Sequence, residues 1–424
     1  MTRRSFLLTS LFASLGVALR AAVRKQSPKI VLRSSWKTAN IGDIAHTPGL
    51  LALLEKFLPE AEVILWPSNV GDGVEAMLRR RFPRLVITRD HAVIETGDFL
   101  LHGSGPYLVA HRDIDYWRSH VRKPYGVYGI TMAPAGDPGM KIMKNNGLDE
   151  HTRELLDGAS FVFLRDSVSL EVVRAAGIAA PVVDFGPDAA FASDVRNDDA
   201  ADAFLREHRL QEGKYLCCIP NLRNAPYWQI NPRYTFDPAK HRRNEEMKEH
   251  DHAPLRDAIV EVVRRTDLKV LVCPEDSTQM ATGKELLVDP LPDDIKPRVV
   301  WRPTYWLTDE ATSTYLRSAG LFGNEMHSPI LCVGHGIPAI VCRFAEQTTK
   351  GYMWRDIGLG DWLFDLDNAS DRARIAATVL AMARDPSAAR AKARQARAFV
   401  QARQAMTMAA LRSCLTLDAG PARK

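Results

Sequence analysis

The sequence predicts an α/β protein built from two successive strand–helix halves and a helical C-terminal tail. Three observations carry this. Short apolar, β-branched runs alternate with stretches of helical periodicity from Lys29 onward; the alternation lapses in an Asp- and Ala-rich stretch, residues 194–206, and then restarts; after Asp365 the sequence is alanine-rich and helical. At 424 residues the chain has room for two domains of ordinary size. The expected division is a first domain over residues 29–200, a second over 201–365, a tail over 366–424, and a separate segment, residues 1–25, outside the fold.

In the first half, Lys29 to Ser34 reads as a strand and Ser35 to His46 as a loop. Thr47-Pro48 reads as a helix start, because a threonine N-cap before a first-turn proline is an opening pair, and Leu50, Leu51, Leu54 and Phe57 mark the buried face. Further strands are expected at Glu62 to Trp66, Leu85 to Thr88, Asp98 to Leu101, Gly126 to Ile130 and Phe161 to Leu164. A short helix covers Gly71 to Arg81, and its Arg79-Arg80-Arg81 end reads as solvated. Asp166 and Ser167 cap a helix from Val168 to Ala176 that stops at Gly177. Loops at the carboxyl ends of strands hold the ligand in open α/β sheets. Asn40-Ile41-Gly42-Asp43 and His102-Gly103-Ser104-Gly105 are two such loops, with glycines that permit close approach and an Asp43 able to orient a hydroxyl. Arg165, at the end of another strand, suits a carboxylate or phosphate.

The second half restarts with a strand at Tyr215 to Ile219, a helix at Pro254 to Arg265, strands at Lys269 to Cys273 and Arg298 to Trp301, and a helix at Asp309 to Ala319. Asn221 to Ala253 is a long polar stretch with Tyr227, Trp228, Tyr234, Phe236 and the basic cluster His241-Arg242-Arg243, suited to a saccharide or to a surface flap. Asp385-Pro386 opens a helix through Leu411, whose Arg390, Arg394, Arg397 and Arg403 read as a solvated face; part of this tail should pack back on the first domain. The organising stretch is Gly323-Asn324-Glu325-Met326-His327-Ser328-Pro329. It follows the apolar Leu321-Phe322 and leads through Ile330 to Val333 and the Gly336-Ile337-Pro338 turn into a strand ending at Cys342. Glu325 and His327 thus sit where a helix offers its amino end to an anion. His327, with a free pKa of about 6.5, suits proton transfer; a helix-start histidine satisfied by the backbone is the plain alternative. As a cleft residue it should cost under roughly 1 kcal/mol on replacement by alanine.

From Phe322 to Leu359 the chain resembles the polysaccharide pyruvyl transferase family, through His327, Gly336-Ile337-Pro338, Lys350-Gly351 and Ile357-Gly358-Leu359. Asn40-Ile41-Gly42-Asp43 resembles the family's opening motif with Ala39 replacing a glycine, and Arg165-Asp166-Ser167-Val168-Ser169 and Pro187-Asp188-Ala189-Ala190-Phe191 are similar to further family stretches. The resemblance implies two Rossmann-like domains facing across a cleft, a GT-B-like arrangement. It also implies transfer of pyruvate from phosphoenolpyruvate onto two hydroxyls of a saccharide acceptor as a cyclic ketal. Under it His327 moves protons, Arg165, Arg223, Arg343 and Lys350 hold the donor's anionic groups, and Asn40, Gly42, Asp43, Gly103 and Ser104 bind substrate. No cofactor is implied beyond phosphoenolpyruvate as donor substrate, and no metal-ligand spacing is present in the sequence.

The family's arginine two residues before the histidine is Glu325 here. A carboxylate about 4 Å from the donor, at an effective dielectric of about 20, costs on the order of 4 kcal/mol, about a thousandfold in affinity. Glu325 should therefore weaken phosphoenolpyruvate binding unless it points away, pairs with Arg343 or is protonated, and should instead meet sugar hydroxyls or share acid/base work with His327. Two other functions stay open: a GT-B glycosyltransferase with Glu325 on a nucleotide ribose, and an exported, non-catalytic carbohydrate-binding or surface-assembly protein.

Hydrophobic residues at 46% and charged residues at 25% fit a globular enzyme. The net charge of +5 gives no case for nucleic acid, because Arg3, Arg4, Arg20, Arg24 and Lys25 precede residue 26 with no acid among them and leave the remainder near neutral. The six cysteines show no metal or disulfide spacing, and adjacent Cys217 and Cys218 face opposite sides of a strand. Thr2-Arg3-Arg4-Ser5-Phe6-Leu7, the apolar run Leu7 to Leu19 and the Ala21-Ala22 exit resemble a twin-arginine export signal, which implies a periplasmic or cell-surface location, anchored if the signal is uncleaved. Phosphoenolpyruvate is a cytoplasmic metabolite, so export and that donor pull against each other. A reporter fused after Gln26 is expected to leave the cytoplasm only with Arg3 and Arg4 intact; equal export of an Arg3→Lys, Arg4→Lys variant would defeat the assignment.

Overall fold

The computed structural model describes residues 27–139 and 148–417, so the export segment expected over residues 1–25 lies outside the described residues. In the first half β1 (Lys29–Ser34), β2 (Glu62–Pro67), β3 (Val86–Ile87), β4 (Phe99–His102), β5 (Tyr125–Ile130), β6 (Val162–Leu164) and β7 (Val183–Phe185) form a parallel sheet ordered β3-β2-β1-β4-β5-β6-β7. In the second, β8 (Tyr215–Ile219), β9 (Lys269–Val272), β10 (Val299–Trp301), β11 (Gly320–Gly323), β12 (Ala339–Arg343) and β13 (Leu363–Asp365) form another, ordered β10-β9-β8-β11-β12-β13. Helices cover both faces of such sheets, which is why the central strands are continuous apolar runs: every residue of β4, β8 and β12 is buried. Each sheet reverses its order at its first strand, between β1 and β4 and between β8 and β11. The ligand crevice of a doubly wound sheet opens beyond the carboxyl ends of those strands.

Two helices start earlier than the sequence suggests, each at an asparagine or aspartate rather than at a proline. The first runs Ile41–Phe57, with Asn40 Oδ1 accepting the Gly42 and Asp43 N–H groups at 2.7 and 3.3 Å, so the stretch read as a loop is its first turns and Pro48 lies inside it. The second runs Pro238–Arg265, capped by Asp237, and takes Pro254 into its interior. Each proline removes one hydrogen bond, and buried faces on both helices outweigh that loss: Leu50, Leu51 and Leu54 in the first, Leu255, Ile259 and Val262 in the second.

The halves are joined by shared core. Ile41, Ala45, Ala190 and Phe191 of the first half lie in the same apolar cluster as Leu321, Ile330 and Leu331. The short 3-10 helix Ala189–Ala192 is wedged between two glycines, and a Cβ on Gly49 would stand 2.0 Å from Ala189 O while one on Gly334 would stand 2.2 Å from Phe191 O. The stretch 194–206 carries the helix Asp198–Glu207, whose Asp198 and Asp202 pair with Arg317 at 2.9 and 2.7 Å. Arg80, read as solvated, reaches Asp309 at 2.7 Å. The tail helix Pro386–Leu417 packs Ala389, Ala393, Ala396 and Val400 into the second core and Met408 and Leu411 into the first. Its arginines do more than face solvent: Arg390 donates to Ser318 O at 2.9 Å, and Arg403 to Asp184 at 2.8 Å and Phe185 O at 2.6 Å.

Gly334→Ala should be destabilising by about 1–3 kcal/mol, since the added methyl meets backbone that has nowhere to move. Denaturant unfolding checks this, and an unchanged midpoint would mean that the Ala189–Ala192 wedge is not seated as described.

Candidate active site

At the two switch points the crevice narrows to a cavity of about 210 Å³ walled by both halves. Asn40, Asp43, His46 and Arg165 come from the first half; Asn221, Tyr227, Asp276, Glu325, His327 and Lys350 come from the second. A roomier hollow of about 720 Å³ lies at the opposite end of the first sheet, against Lys29, Glu62 and Val86, with apolar Leu51, Leu54 and Phe82 in its wall. The chemistry gathers in the smaller one.

Behind its wall stands Glu275, in the loop after β9 and fully buried. The helix His327–Gly334 begins with free N–H groups, as every helix does, and the Glu275 carboxylate takes two of them: His327 N–H at 3.4 Å and Ser328 N–H at 2.6 Å. The amino end expected to receive a ligand's anion is therefore filled from within the chain. Glu275 O also accepts Ile41 N–H at 3.0 Å, which ties the first helix of one half to the site of the other. Burial opposes the carboxylate's charge, but His327, Lys350 and the Ser328 N–H overcome it and hold Glu275 below the usual carboxylate range.

His327 is buried rather than exposed in a cleft. Its ring lies against the Gly42 backbone so closely that a Cβ there would stand 2.2 Å from His327 Cγ, so the motif glycine admits the histidine rather than a ligand. The other side meets His46 edge-on, with ring centroids 4.9 Å apart. His327 Nδ1 stands 3.4 Å from Glu275 Oε1 without hydrogen-bond alignment, and Nε2 is unpartnered. Burial, reinforced by His46 and Lys350, lowers the pKa of His327 against the pull of Glu275, so the ring is neutral at pH 7. With 6% exposure and two close ring neighbours, its replacement by alanine costs more than an open cleft residue would.

Behind it, buried Asp188 accepts from Arg165 at 2.7 Å and from Ala190 N–H at 2.9 Å, and lies 2.9 Å from His46 Nδ1. Ser104 Oγ meets the same Nδ1 at 2.8 Å, which leaves His46 Nε2 bare. Burial alone would raise the Asp188 pKa, but His46, Arg165 and His327 hold it far down. His46, Asp188 and His327 are the one group among the described residues whose ligand atoms lie close enough to hold a metal, within 4.8 Å of one another. A cation there would compete with the Arg165 guanidinium already on the carboxylate.

Glu325 has the opposite environment to Glu275. The neutral Gln279 amide donates to its Oε1 at 2.7 Å, and neither an arginine nor a lysine pairs with it among the described residues. Burial first, and then the charges of Glu275 and Asp276, raise its pKa well above normal against a smaller pull from Lys350 and Gln279. The two carboxyl groups are thus pushed in opposite directions. Asp276 is likewise raised, chiefly by burial, while the Tyr227 hydroxyl and Thr278 bond to it.

Of the residues singled out in the sequence, Asn40, Asp43, Arg165, Arg223, Glu325, His327 and Lys350 meet on this wall. Gly42 stands behind His327, Ser104 behind His46, and Gly103 against Ser34 and Leu50 rather than on the cavity wall. Three of the expected donor-binding cations are occupied, Arg165 by Asp188. Arg223 gives its guanidinium to Asp251 at 2.8 and 2.9 Å, Glu346 at 3.0 Å and Asp367 at 2.6 Å. Arg343 does not line the cavity and does not pair with Glu325; it bonds Asp365 at 2.6 Å and Thr348 O at 2.9 Å. Lys350 is the wall cation with no ion pair among the described residues. The sequence reading missed His46, Asp188 as a site residue, Glu275 and Asp276. The last two follow β9 as Glu325 follows β11, so the strand-end rule that located one would have located the others.

Two parallel sheets meeting at their switch points define a GT-B-like fold, and solved structures share it. UGT71G1 of Medicago truncatula, complexed with UDP-glucose, superposes with a TM-score of 0.54 at 9% identity, over 92% of this chain and 98% of that one. HepE of Anabaena, in complex with UDP and glucose, gives 0.53 at 10% over 93% and 100%, and the UDP-GlcNAc 2-epimerase of Methanocaldococcus jannaschii gives 0.51 at 13% over 83% and 92%. At these identities the likeness is one of fold. No curated protein matches the chain significantly in sequence. The model of the polysaccharide pyruvyl transferase family matches residues 40–344, from the Asn40 cap to the residue after β12: the chain belongs to that family, and so to the saccharide-modifying transferases.

Glu275→Gln should lower stability by about 2–3 kcal/mol, the range for a buried charge-assisted hydrogen bond, and should depress the pKa of His327 further because the group raising it is gone. NMR titration of the His327 ring checks the second effect; an unchanged or raised value would show that Glu275 does not govern the ring.

Proposed function

We propose that the protein is a ketal-forming pyruvyl transferase that takes phosphoenolpyruvate as donor and a saccharide as acceptor. The observation that supports this best is the contrast between its two buried carboxyl groups. Glu275, with backbone N–H donors, is ionised; Glu325, with only a neutral amide, keeps its proton beside a neutral His327. Environments that push paired acids apart assign the acid and the base. Glu325 gives its proton to the methylene carbon of the enol, and one acceptor hydroxyl adds to the adjacent carbon while His327 takes its proton. The second hydroxyl then displaces phosphate at that carbon; its proton restores Glu325, and the proton on His327 leaves with phosphate. Lys350 holds donor charge, and Asn40, Asp43 and Asp276 hold acceptor hydroxyls.

This reading removes the repulsion expected at Glu325, because a neutral carboxyl carries no charge to oppose the donor. A second reading rests on Glu275 filling the helix end: a cleft with one unpaired cation on its wall suits a neutral saccharide better than a polyanion, and the protein would then bind saccharide without using phosphoenolpyruvate. Export, if it occurs, favours the second.

Phosphate release from phosphoenolpyruvate, measured across a panel of saccharides, separates the two. Glu325→Gln is expected to cut kcat by about 10²–10⁴ with little change in donor KM. Activity should fall on acidification as His327, whose pKa is lowered, gains a proton, and on alkalinisation as Glu325, whose pKa is raised, loses one. Tight donor binding that Glu325→Gln abolishes would contradict a neutral carboxyl, and no release with any saccharide would leave the second reading.

A further inference from the structure

A cavity of about 210 Å³ falls below the roughly 300–1,000 Å³ of sites that enclose a whole drug-sized ligand. It can enclose one sugar ring, and a longer saccharide has to continue over its rim. One rim has an unusual surface. The structure exposes seven large hydrophobic side chains among its described residues, and three of them, Ile230, Tyr234 and Phe236, fall within seven consecutive positions at 49%, 44% and 52% exposure. Of the remaining four, Phe399 and Met406 lie on the tail helix and Val86 and Val182 stand apart, and none of them lines the cavity.

This strip is continuous with the cavity. Tyr227 lines the cavity and bonds Asp276 through its hydroxyl, and its ring lies 5.4 Å from that of Tyr234. Trp228, the next residue, meets Phe236 edge-on at 5.7 Å. Rings thus lead outward from the wall, with Lys37 Nζ 5.2 Å over Tyr227 at the inner end. The segment is anchored at both ends: Asn224 N–H bonds buried Asn244 at 2.9 Å, and Asp237 caps the helix Pro238–Arg265. Exposed aromatic faces on an anchored segment are costly unless something covers them. Sugar rings suit such faces, with C–H groups over the aromatic rings and hydroxyls left to water.

We propose that Trp228, Tyr234 and Phe236 form a platform for the sugar units that flank the acceptor residue. The inference rests on the cavity's being the acceptor site, and it adds an extended subsite of saccharide class outside that cavity.

The test uses the full chain. Native gels cast with soluble glucans, galactans and mannans report retardation, and a ladder of one to six units cut from the retarding polymer is titrated by calorimetry. Affinity is expected to rise at least about tenfold between one unit and four. Tyr234→Ala and Phe236→Ala should flatten that rise without lowering Tm, since both side chains are exposed. A flat series with single-unit binding intact, or a rise indifferent to both substitutions, would overturn the platform and leave the cavity's function standing. Failure of every polymer to retard the chain would overturn it as well; only if phosphate release were also absent would the reading of the cavity fall with it. An intrinsic fluorescence change with phosphatidylglycerol vesicles and with none of the saccharides, lost in Trp228→Phe, would assign the strip to a lipid surface and refute the proposal.

Discussion

A single ionised carboxylate, Glu275, holds the site together. It has no exposure to water, so its charge must be stabilised inside the protein, and the stabilisation comes from the start of the His327–Gly334 helix. Removing one partner of such an arrangement leaves a buried charge or unsatisfied donors and is costlier than never having built it. The position of His327, the order of β9 beside β8, and the approach of the Ile41–Phe57 helix, which donates its Ile41 N–H to Glu275 O, all converge on this residue. The charge on Glu275 also adds to the effect of burial in raising the Glu325 pKa.

The architecture was legible because parallel strands covered on both faces have to be continuous apolar runs, and runs such as Tyr215 to Ile219 have no other reading. Helix starts were less legible. Thr47-Pro48 carries a local opening signal and Pro254 reads as a helix start, yet Asn40 and Asp237 begin the helices, since tertiary burial of long faces outweighs one missing hydrogen bond. The site was legible where it follows a rule of position, as with Glu325, His327 and Asp43. It was illegible where it depends on neighbours remote in sequence. Nothing near Arg223 announces that Asp251, Glu346 and Asp367 will enclose it, and nothing near Arg343 announces Asp365 and the Thr348 carbonyl.

Gly42 illustrates the same limit from another side. Its place in a motif after a strand marks it correctly as a residue where something approaches closely. Sequence could not say that the approaching group is His327, which lies in the other half of the chain. A motif residue can matter by making space for another side chain rather than for a ligand.

The tail helix has a mechanical consequence. Its 32 residues make a rod about 48 Å long, bedded at one end in the second core and at the other in the first. A hinge motion that swung the halves apart as rigid bodies would have to bend that rod or strip its last turns from Met408 and Leu411 onward. Access to the cavity is therefore not expected to depend on a rigid-body swing of the two halves.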